Sequence, residues 1–318
     1  MRLTRSRPHR SIVLVLAVVM AGCGRGATTV PRASEPPASA GGSFPVTITD
    51  DDGQAVTIDT PPERIVTFAP SATEIVFALG LGDRLVGVAG AFDNYPSAAK
   101  RIEEIGGAGD FGVDPNIEKV VSLRPDLFLT IAGGDQWKAR LRDLGVPVFT
   151  TDSTDLADVF HDIETVGRLT GTVDAAGAVV ATMQAEAADV EKRVAGDPAV
   201  PCFYEVYYPP LTTVGPDTFI GDLLSLAGCR SVSARAKSDY PQWSVEDLVR
   251  QDPRVYLVSS ESGASPKAVA SRPGFDAVAA IAAGRVVPID ADLVSRPGPR
   301  VVDGLLLLAR ALHPEAFG

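Results

Sequence analysis

Aromatic residues make up only 6% of this sequence, so their positions carry information about what the chain does. Six of them fall in predicted loops next to strands, where a core aromatic is less expected: Tyr95, Phe111, Tyr207, Tyr208, Tyr240 and Trp243. Rings in such loops offer flat apolar faces, which suit a large ligand that is itself partly apolar. The alternative is that about half of them only cover the edges of the fold.

Residue patterns for catalysis or for a metal centre are missing from the sequence. The stretch GLGDRLVG from Gly80 lacks the G-x-G-x-x-G spacing of a dinucleotide loop, and no G-x-S-x-G, Cys-His pair or phosphate loop occurs. The adjacent Glu103 and Glu104 are typical of a solvated helix face. Only His161 and His313 remain beyond the first ten residues, too few for a histidine-rich metal site. We therefore expect a binding protein with no catalytic residues, no metal ligands and no cofactor.

The N-terminus has the pattern of a secretory signal. Four arginines lie within the first ten residues, and Ile12 to Met20 is an apolar run of nine, too short to span a membrane as a mature helix. The sequence Met20-Ala21-Gly22-Cys23 resembles a bacterial lipobox, which predicts a signal peptide over residues 1–22 and acylation of Cys23. Residues 23–43 are rich in Gly, Ala, Ser, Thr and Pro, which predicts a flexible tether at the outer face of the membrane.

Charge and cysteine usage fit an exported protein. Loss of the four signal arginines leaves 25 basic against 40 acidic residues, a net charge of about −15, which argues against nucleic acid or anionic lipid as a partner. Besides Cys23 the mature chain keeps Cys202 and Cys229, and such a pair outside the cytoplasm commonly forms a disulfide. Two buried free thiols are the alternative.

Strand and helix patterns alternate along the chain, which predicts parallel sheets with helical crossovers. An opening hairpin is expected over residues 44–58, with its turn at Asp50 to Gly53. Ser71 and Glu74 have the spacing of a capping box at the start of the next helix. In the first half, strands are predicted at 64–68, 84–88, 126–131 and 146–150, and helices at 117–123, 136–144 and 156–169. In the second half, strands are predicted at 202–206, 254–258 and 285–289, and helices at 218–227, 245–250 and 300–312.

One long helix separates these two halves. Apolar residues at alternating spacings of three and four predict a helix over 172–195, about 33 Å long at 1.5 Å per residue. The segment IEKVVSLRPDLFLTI from Ile117 is matched by VEDLVRQDPRVYLVSS from Val245, which pairs Glu118 with Glu246. A repeat on either side of the helix indicates two lobes of one plan. The expected fold is α/β, with mostly parallel lobes at 44–170 and 198–318 joined by a rigid helix at 171–197.

Five segments in order resemble the substrate-binding lipoproteins of cobalamin and ferric-siderophore ABC importers. They are RIVTFAPSATEIVFALGLGDRLVGVAG from Arg64, the Asn94-Tyr95-Pro96 turn, IEKVVSLRPDLFL from Ile117, TVGPDTFIGDLLSLAG from Thr213 and SRPGPRVVDGL from Ser295. The likeness is closest to the cobalamin receptors, whose fold is two α/β lobes on one helix. It implies a monomer that captures cobalamin or a related corrinoid and delivers it to a permease dimer with its ATPase. A ferric siderophore or haem is the alternative ligand.

The resemblance also implies roles for particular residues. Tyr95, Phe111, Tyr240, Asp292 and Arg296 match positions that line the ligand cleft, although the Phe111 loop departs from the family pattern, in which a Trp is often nearby. Glu118 and Glu246 match glutamates that dock onto arginines of the permease. The simpler account of both glutamates is favourable charge at a helix N-terminus.

Overall fold

The structure is a computed structural model, and it describes residues 43–106 and 114–318. Cys23, Phe111, the signal peptide and nearly all of the tether therefore lie outside the described residues. Among the residues that are described, no helix is both long enough and apolar enough to cross a membrane.

The chain opens with the predicted hairpin. Strands β1 (Val46–Thr49) and β2 (Ala55–Ile58) pair antiparallel. The carboxylate of Asp50 accepts a hydrogen bond from the backbone N–H of Gln54 at 2.7 Å, which closes the turn. The hairpin prediction is confirmed.

The first lobe contains a four-stranded parallel sheet. Its strands are β3 (Ile65–Thr67), β4 (Leu85–Gly87), β5 (Leu127–Ile131) and β6 (Val148–Thr151), in the order β4-β3-β5-β6. Its helices are α1 (Pro70–Ala78), α2 (Ile117–Leu123), α3 (Asp135–Asp143) and α4 (Leu156–Thr170), with 3₁₀ turns at Gly82–Arg84 and Ala99–Arg101. The strands read as short apolar runs because helices cover both faces of a parallel sheet.

The capping box predicted at α1 is wrong. The N-cap is Ala69, no side chain caps the helix, and Pro70 takes the first helical position, which its fixed φ favours. Glu74 is 3% exposed, and its carboxylate accepts hydrogen bonds from Arg300 of the second lobe instead. The sequence pattern was local, whereas the partner of Glu74 lies 226 residues away.

The long helix is α5 (Val173–Val194), as predicted within one residue at each end. It packs on α4 of the first lobe, and Gly167 of α4 makes room for Ala176, since an added Cβ at Gly167 would lie 2.5 Å from that of Ala176. One side of the helix carries its buried residues: Ala176, Val180, Met183, Ala187, Val190 and Val194.

The second lobe repeats the sheet plan. Its strands are β7 (Val200–Glu205), β8 (Cys229–Ser231), β9 (Val255–Ser259) and β10 (Val286–Ile289), all parallel in the order β8-β7-β9-β10. Its helices are α6 (Phe219–Leu226), α7 (Val245–Gln251), α8 (Pro266–Ala270), α9 (Ala279–Ala282), α10 (Ala291–Val294) and α11 (Val301–Leu312). The 3₁₀ turns are Ser260–Ser262, Phe275–Ala277 and Pro314–Phe317. Helix α11 also packs on α5.

A disulfide joins the first two strands of this lobe. Cys202 of β7 and Cys229 of β8 are bonded, with their Cα atoms 5.8 Å apart, so the disulfide prediction is confirmed. The sequence did not indicate β8, because its three residues, Cys-Arg-Ser, contain no apolar run.

The internal repeat holds at the level of single residues. Asn116 and Ser244 each cap the N-terminus of their helix, α2 or α7, by accepting a backbone N–H three residues on. Arg124 and Asp252 end these helices with φ values of 48° and 47°, and they are the only non-glycine residues with positive φ in the described chain. Both lobes therefore turn from helix to the following strand in the same way.

Candidate functional site

The candidate ligand-binding cleft is placed at the junction where loops from the carboxyl ends of the two sheets meet. The loop after β4 meets α10, which follows β10: the Nδ2 of Asn94 donates to Oδ2 of Asp292 at 2.7 Å. Arg296 donates to Oδ1 of Asn94 at 2.9 Å and also pairs with Asp292. Asp292 and Arg296, the two predicted polar contacts, thus lie together at the junction of the lobes, and each is already bonded to a side chain of the first lobe.

Tyr95 lies beside this junction, next to Asn94 in the chain. Its side chain is 47% exposed, and the guanidinium carbon of Arg300 lies 4.0 Å from the centroid of its ring. The same guanidinium donates from Nε to Oε2 of Glu74 at 2.9 Å and from a terminal nitrogen to Oε1 at 2.6 Å. Sequence reasoning missed both Arg300 and Glu74; the only available signal for Arg300 was its position four residues beyond Arg296.

The loop that carries Tyr95 is anchored from inside the first lobe. Asp93 is 2% exposed; it accepts from the hydroxyl of Thr73 and, at 2.9 Å, from the N–H of Gly90. Burial raises the pKa of Asp93, while these hydrogen bonds and Arg296 oppose the increase. The adjacent Phe92 is 56% exposed and is a further cleft candidate that the sequence did not single out.

The four aromatic candidates of the second lobe divide into two exposed and two packed rings. Tyr207 and Tyr240 are 52% and 57% exposed. Tyr208 and Trp243 are partly buried against the core of the second lobe, where Tyr208 meets Phe275 edge-on at 5.9 Å. Bridges through Thr212 hold the loop of Tyr207 next to the loop of Tyr240 and Trp243. Burial raises the pKa of Tyr240, and the carboxylates of Asp239 and Glu261 add to the effect.

A buried ion pair supports the Tyr208 loop. Glu205, at the end of β7, is fully buried and binds Arg272 through both carboxylate oxygens. Tyr256 donates its hydroxyl proton to the same carboxylate. The guanidinium carbon of Arg272 lies 3.9 Å from the centroid of the Tyr208 ring. No local pattern indicated this pair, because its members are 67 residues apart.

Glu118 and Glu246 lie at matching points on α2 and α7. Both side chains are exposed in the second position of their helix. Neither takes part in a salt bridge within the described ranges, although neighbours do: Lys119 pairs with Glu103, and Arg250 pairs with Asp247. Both glutamates are therefore available to an external partner.

This geometry agrees with the protein family that the sequence matches. Residues 65–293 match the family model of the periplasmic binding proteins. The chain belongs to that family, which is a family of binding proteins. Its two α/β lobes and connecting helix are the bilobal fold of such proteins.

Particular relatives and structures are similar over almost the whole chain. An uncharacterized ABC transporter substrate-binding lipoprotein of Bacillus subtilis, YvrC, is 35% identical over 96% of this chain and 96% of its own length. A cobalamin-binding protein of Halobacterium salinarum is 34% identical over 97% of this chain and 85% of its own length. A crystal structure from an ABC-type Fe³⁺-hydroxamate transport system of Saccharomonospora viridis is 27% identical, with a TM-score of 0.69 over 87% of this chain and all of that one.

Proposed function

We propose that this protein is the extracytoplasmic substrate-binding protein of an ABC importer and that it captures cobalamin or a related corrinoid. The observation that carries the proposal is the junction of the two lobes, with exposed tyrosines in loops that follow strands of both sheets. The cobalamin-binding relative, 34% identical over nearly the full length, supports the corrinoid. A ferric siderophore is the second candidate, favoured by the similarity to the Fe³⁺-hydroxamate structure; haem belongs to the same class of large metal chelates.

The proposed contacts follow from exposure and chemistry. Tyr95 and Tyr240 give apolar faces from opposite lobes, and Asp292 and Arg296 give polar groups that can exchange part of their mutual bonding for amides or hydroxyls of the ligand. Tyr207 has the exposure for direct contact as well. Tyr208 and Trp243 act from the wall of the cleft, and Phe111 remains a predicted contact on sequence grounds alone.

The proposed partner is a permease dimer with its ATPase, approached by a monomeric receptor. A pair of like transmembrane subunits presents two similar surfaces, and the repeat supplies one exposed glutamate for each. Charge-assisted contacts from permease arginines to Glu118 and Glu246 would orient the cleft over the translocation path. The net negative charge of the mature chain argues against nucleic acid as a partner.

The proposed organisation of the chain places this receptor on a lipid anchor. Residues 1–22 are the signal peptide, Cys23 carries the lipid, and residues 23–43 form the tether. The lobes span 44–170 and 198–318, with the interlobe helix at 171–197. The name of the Bacillus relative, a substrate-binding lipoprotein, supports the anchor.

Calorimetry on the full mature protein, with cyanocobalamin, a ferric hydroxamate and haem as parallel titrants, tests the ligand class. We expect a one-to-one complex with cyanocobalamin and much weaker heats with the other two. Tight binding of the hydroxamate or haem with no corrinoid binding would contradict the corrinoid and support the alternative ligand. Turnover of any of the three compounds would instead indicate an enzyme.

A further inference from the structure

One guanidinium is used on both its edge and its face at the cleft. The edge of Arg300 makes two hydrogen bonds to Glu74, at 2.9 and 2.6 Å, and its face lies 4.0 Å from the Tyr95 ring centroid. Glu74 lies on α1 and Tyr95 in the loop after β4, both in the first lobe. Arg300 is the N-cap of α11 in the second lobe, so this single side chain joins the lobes.

The edge contact fixes the plane of the guanidinium. Two parallel hydrogen bonds to one carboxylate leave a planar fork little freedom to rotate. Glu74 is 3% exposed, and a buried carboxylate needs such partners to stay charged. Arg296 lies 3.5 Å from the same carboxylate and also pairs with Asp292, so two arginines and two acids form a network with no net charge.

The face contact transfers that rigidity to the tyrosine. A cation stacked on one face of the ring restricts rotation of the ring about the Cβ–Cγ bond. It covers one face of the ring only. Tyr95 is nearly half exposed despite this stacking. The orientation of the exposed ring is therefore set by a group from the opposite lobe.

Resting on the corrinoid-receptor function above, we propose that Arg300 is a positioning residue of the cleft. It holds Tyr95 in the orientation that meets the ligand and ties that orientation to the spacing of the lobes. The arrangement at Tyr208 shows the alternative use of the same chemistry, since Glu205, Arg272 and Tyr208 all belong to the second lobe and stabilise it internally.

The main test is a double-mutant cycle with Arg300→Lys and Tyr95→Ala, measured as the Kd for cyanocobalamin on the full mature protein. Lysine keeps the charge but loses the planar face and the fork, so R300K should raise the Kd about tenfold. The double variant should bind within about twofold of Y95A alone, because Arg300 acts through Tyr95. Additive losses, or an unchanged Kd in R300K, would overturn the proposal.

The matched control is Arg142→Lys. Arg142 of α3 also donates from its guanidinium to a buried carboxylate, but that carboxylate is Asp50 in the opening hairpin of the first lobe. Its replacement should lower stability and leave the Kd unchanged. If R300K does not fold, Glu74→Gln combined with Arg300→Gln removes both charges together, which buried pairs tolerate better than loss of one partner.

A second readout does not need the ligand. The ¹⁹F spectrum of protein labelled with 3-fluorotyrosine, with the Tyr95 signal assigned through Tyr95→Phe, should show that signal narrowing and moving toward the free amino-acid position in R300K. An unchanged Tyr95 signal would overturn the positioning role. Failure of the wild-type protein to bind cyanocobalamin would count against the proposed corrinoid function alone, while the ¹⁹F result would still decide the role of Arg300.

Discussion

The two lobes share one plan but hold their candidate ligand-binding tyrosines differently. In both, the sheet order places the first strand second and the helix before the third strand ends in a left-handed residue followed by proline. In the first lobe, the arginine stacked on Tyr95 comes from the other lobe. In the second, the arginine stacked on Tyr208 is local. The repeated plan therefore builds each lobe, whereas the charges added to it determine whether a side chain stabilises one lobe or connects two.

The largest expected effect concerns the exposed glutamate that both lobes carry at equivalent positions. Reversing charge at Glu118 and Glu246 together, each to Arg, should abolish transport while ligand affinity stays within about twofold, because both residues are exposed at helix N-termini and are not among the proposed ligand contacts. Uptake of the labelled ligand and co-purification with the permease measure the effect.

The control for that experiment reverses Glu186 and Glu191, two exposed acids of α5. The same change in net charge at these positions should leave uptake intact. Wild-type uptake by the Glu118/Glu246 variant would leave those residues with favourable charge at a helix N-terminus alone, a contribution of about 0.3 to 1 kcal/mol each.

The next prediction concerns Asp162, a buried acid on α4 of the first lobe. Burial, together with Asp51, Asp158 and Asp152, raises the pKa of Asp162 from 3.8 to about 7. Because the folded protein favours the neutral acid, its contribution to stability is full below pH 4 and is lost as pH rises through 7. Asp162→Asn should therefore increase the free energy of unfolding at pH 8 by up to about 4 kcal/mol, at about 1.4 per pH unit, and change little near pH 4.

Denaturant unfolding of both proteins across this pH range measures the difference. Asp158 on the same helix is the opposite case: the N–H of Thr154 lowers its pKa, although burial opposes this. Its stabilising contribution is present at neutral pH and is lost as pH falls through the lowered pKa. Asp158→Asn should consequently destabilise at pH 8, and equal effects of the two variants would contradict the assignment.

The disulfide distinguishes the second lobe. Replacing Cys202 and Cys229 by Ala reopens a loop between residues 27 positions apart. Chain entropy predicts a loss of roughly 3.5 kcal/mol. Chemical unfolding should show it, and reduction of the wild-type protein should reproduce it. Two alkylatable thiols in the exported native protein would argue that the bond is not formed there.

Exposure separates the effects expected at two tyrosines of the second lobe. Tyr240→Ala should weaken cyanocobalamin binding by on the order of 1 to 3 kcal/mol with little change in stability, because an exposed ring loses stacking with the ligand rather than core contacts. Tyr208→Ala should mainly lower the unfolding temperature, since its ring packs on Arg272 and Phe275. Calorimetry and thermal unfolding of both variants would show the contrast, and a reversed pattern would contradict it.

The smallest expected effect concerns Arg124 and Asp252, the equivalent residues that end α2 and α7. Glycine relieves the left-handed strain at either helix end, a gain of at most about 1 kcal/mol. Arg124→Gly should show this gain in stability. Asp252→Gly should not, because the carboxylate of Asp252 accepts the N–H of Ala279 at 2.7 Å and that bond is lost. Differential scanning calorimetry should give a higher melting temperature for the first variant and a lower one for the second.

Much of the fold could be predicted because it is encoded locally. The stripe of α5, the apolar strands and the Pro125 and Pro253 units are visible within a few residues of sequence, and their predicted bounds agree with the structure closely. Strand β8 was missed because it has no apolar pattern of its own; its pairing with β7 defines it.

The cleft was predictable only in part. Tyr95, Asp292 and Arg296 come together as the resemblance implied, but their use as ligand contacts remains a prediction. The partners that hold them could not be predicted, because Glu74 and Arg300 are 226 residues apart and a sequence pattern assigns Glu74 to the nearest helix end instead. Long-range charge pairing leaves no periodicity to read.

Helix α5 has a consequence for unloading. It is a single 22-residue span packed against α4 and α11, one from each lobe. Parting the lobes widely means bending that helix or separating it from a packed partner, whereas a hinge made of a few loop residues would need neither. Cargo would then leave a free receptor slowly, and its residence time would be governed by the permease rather than by a spontaneous hinge. The permease complex would then supply the energy that separates the lobes, and the rigid receptor would release its ligand only when it is docked.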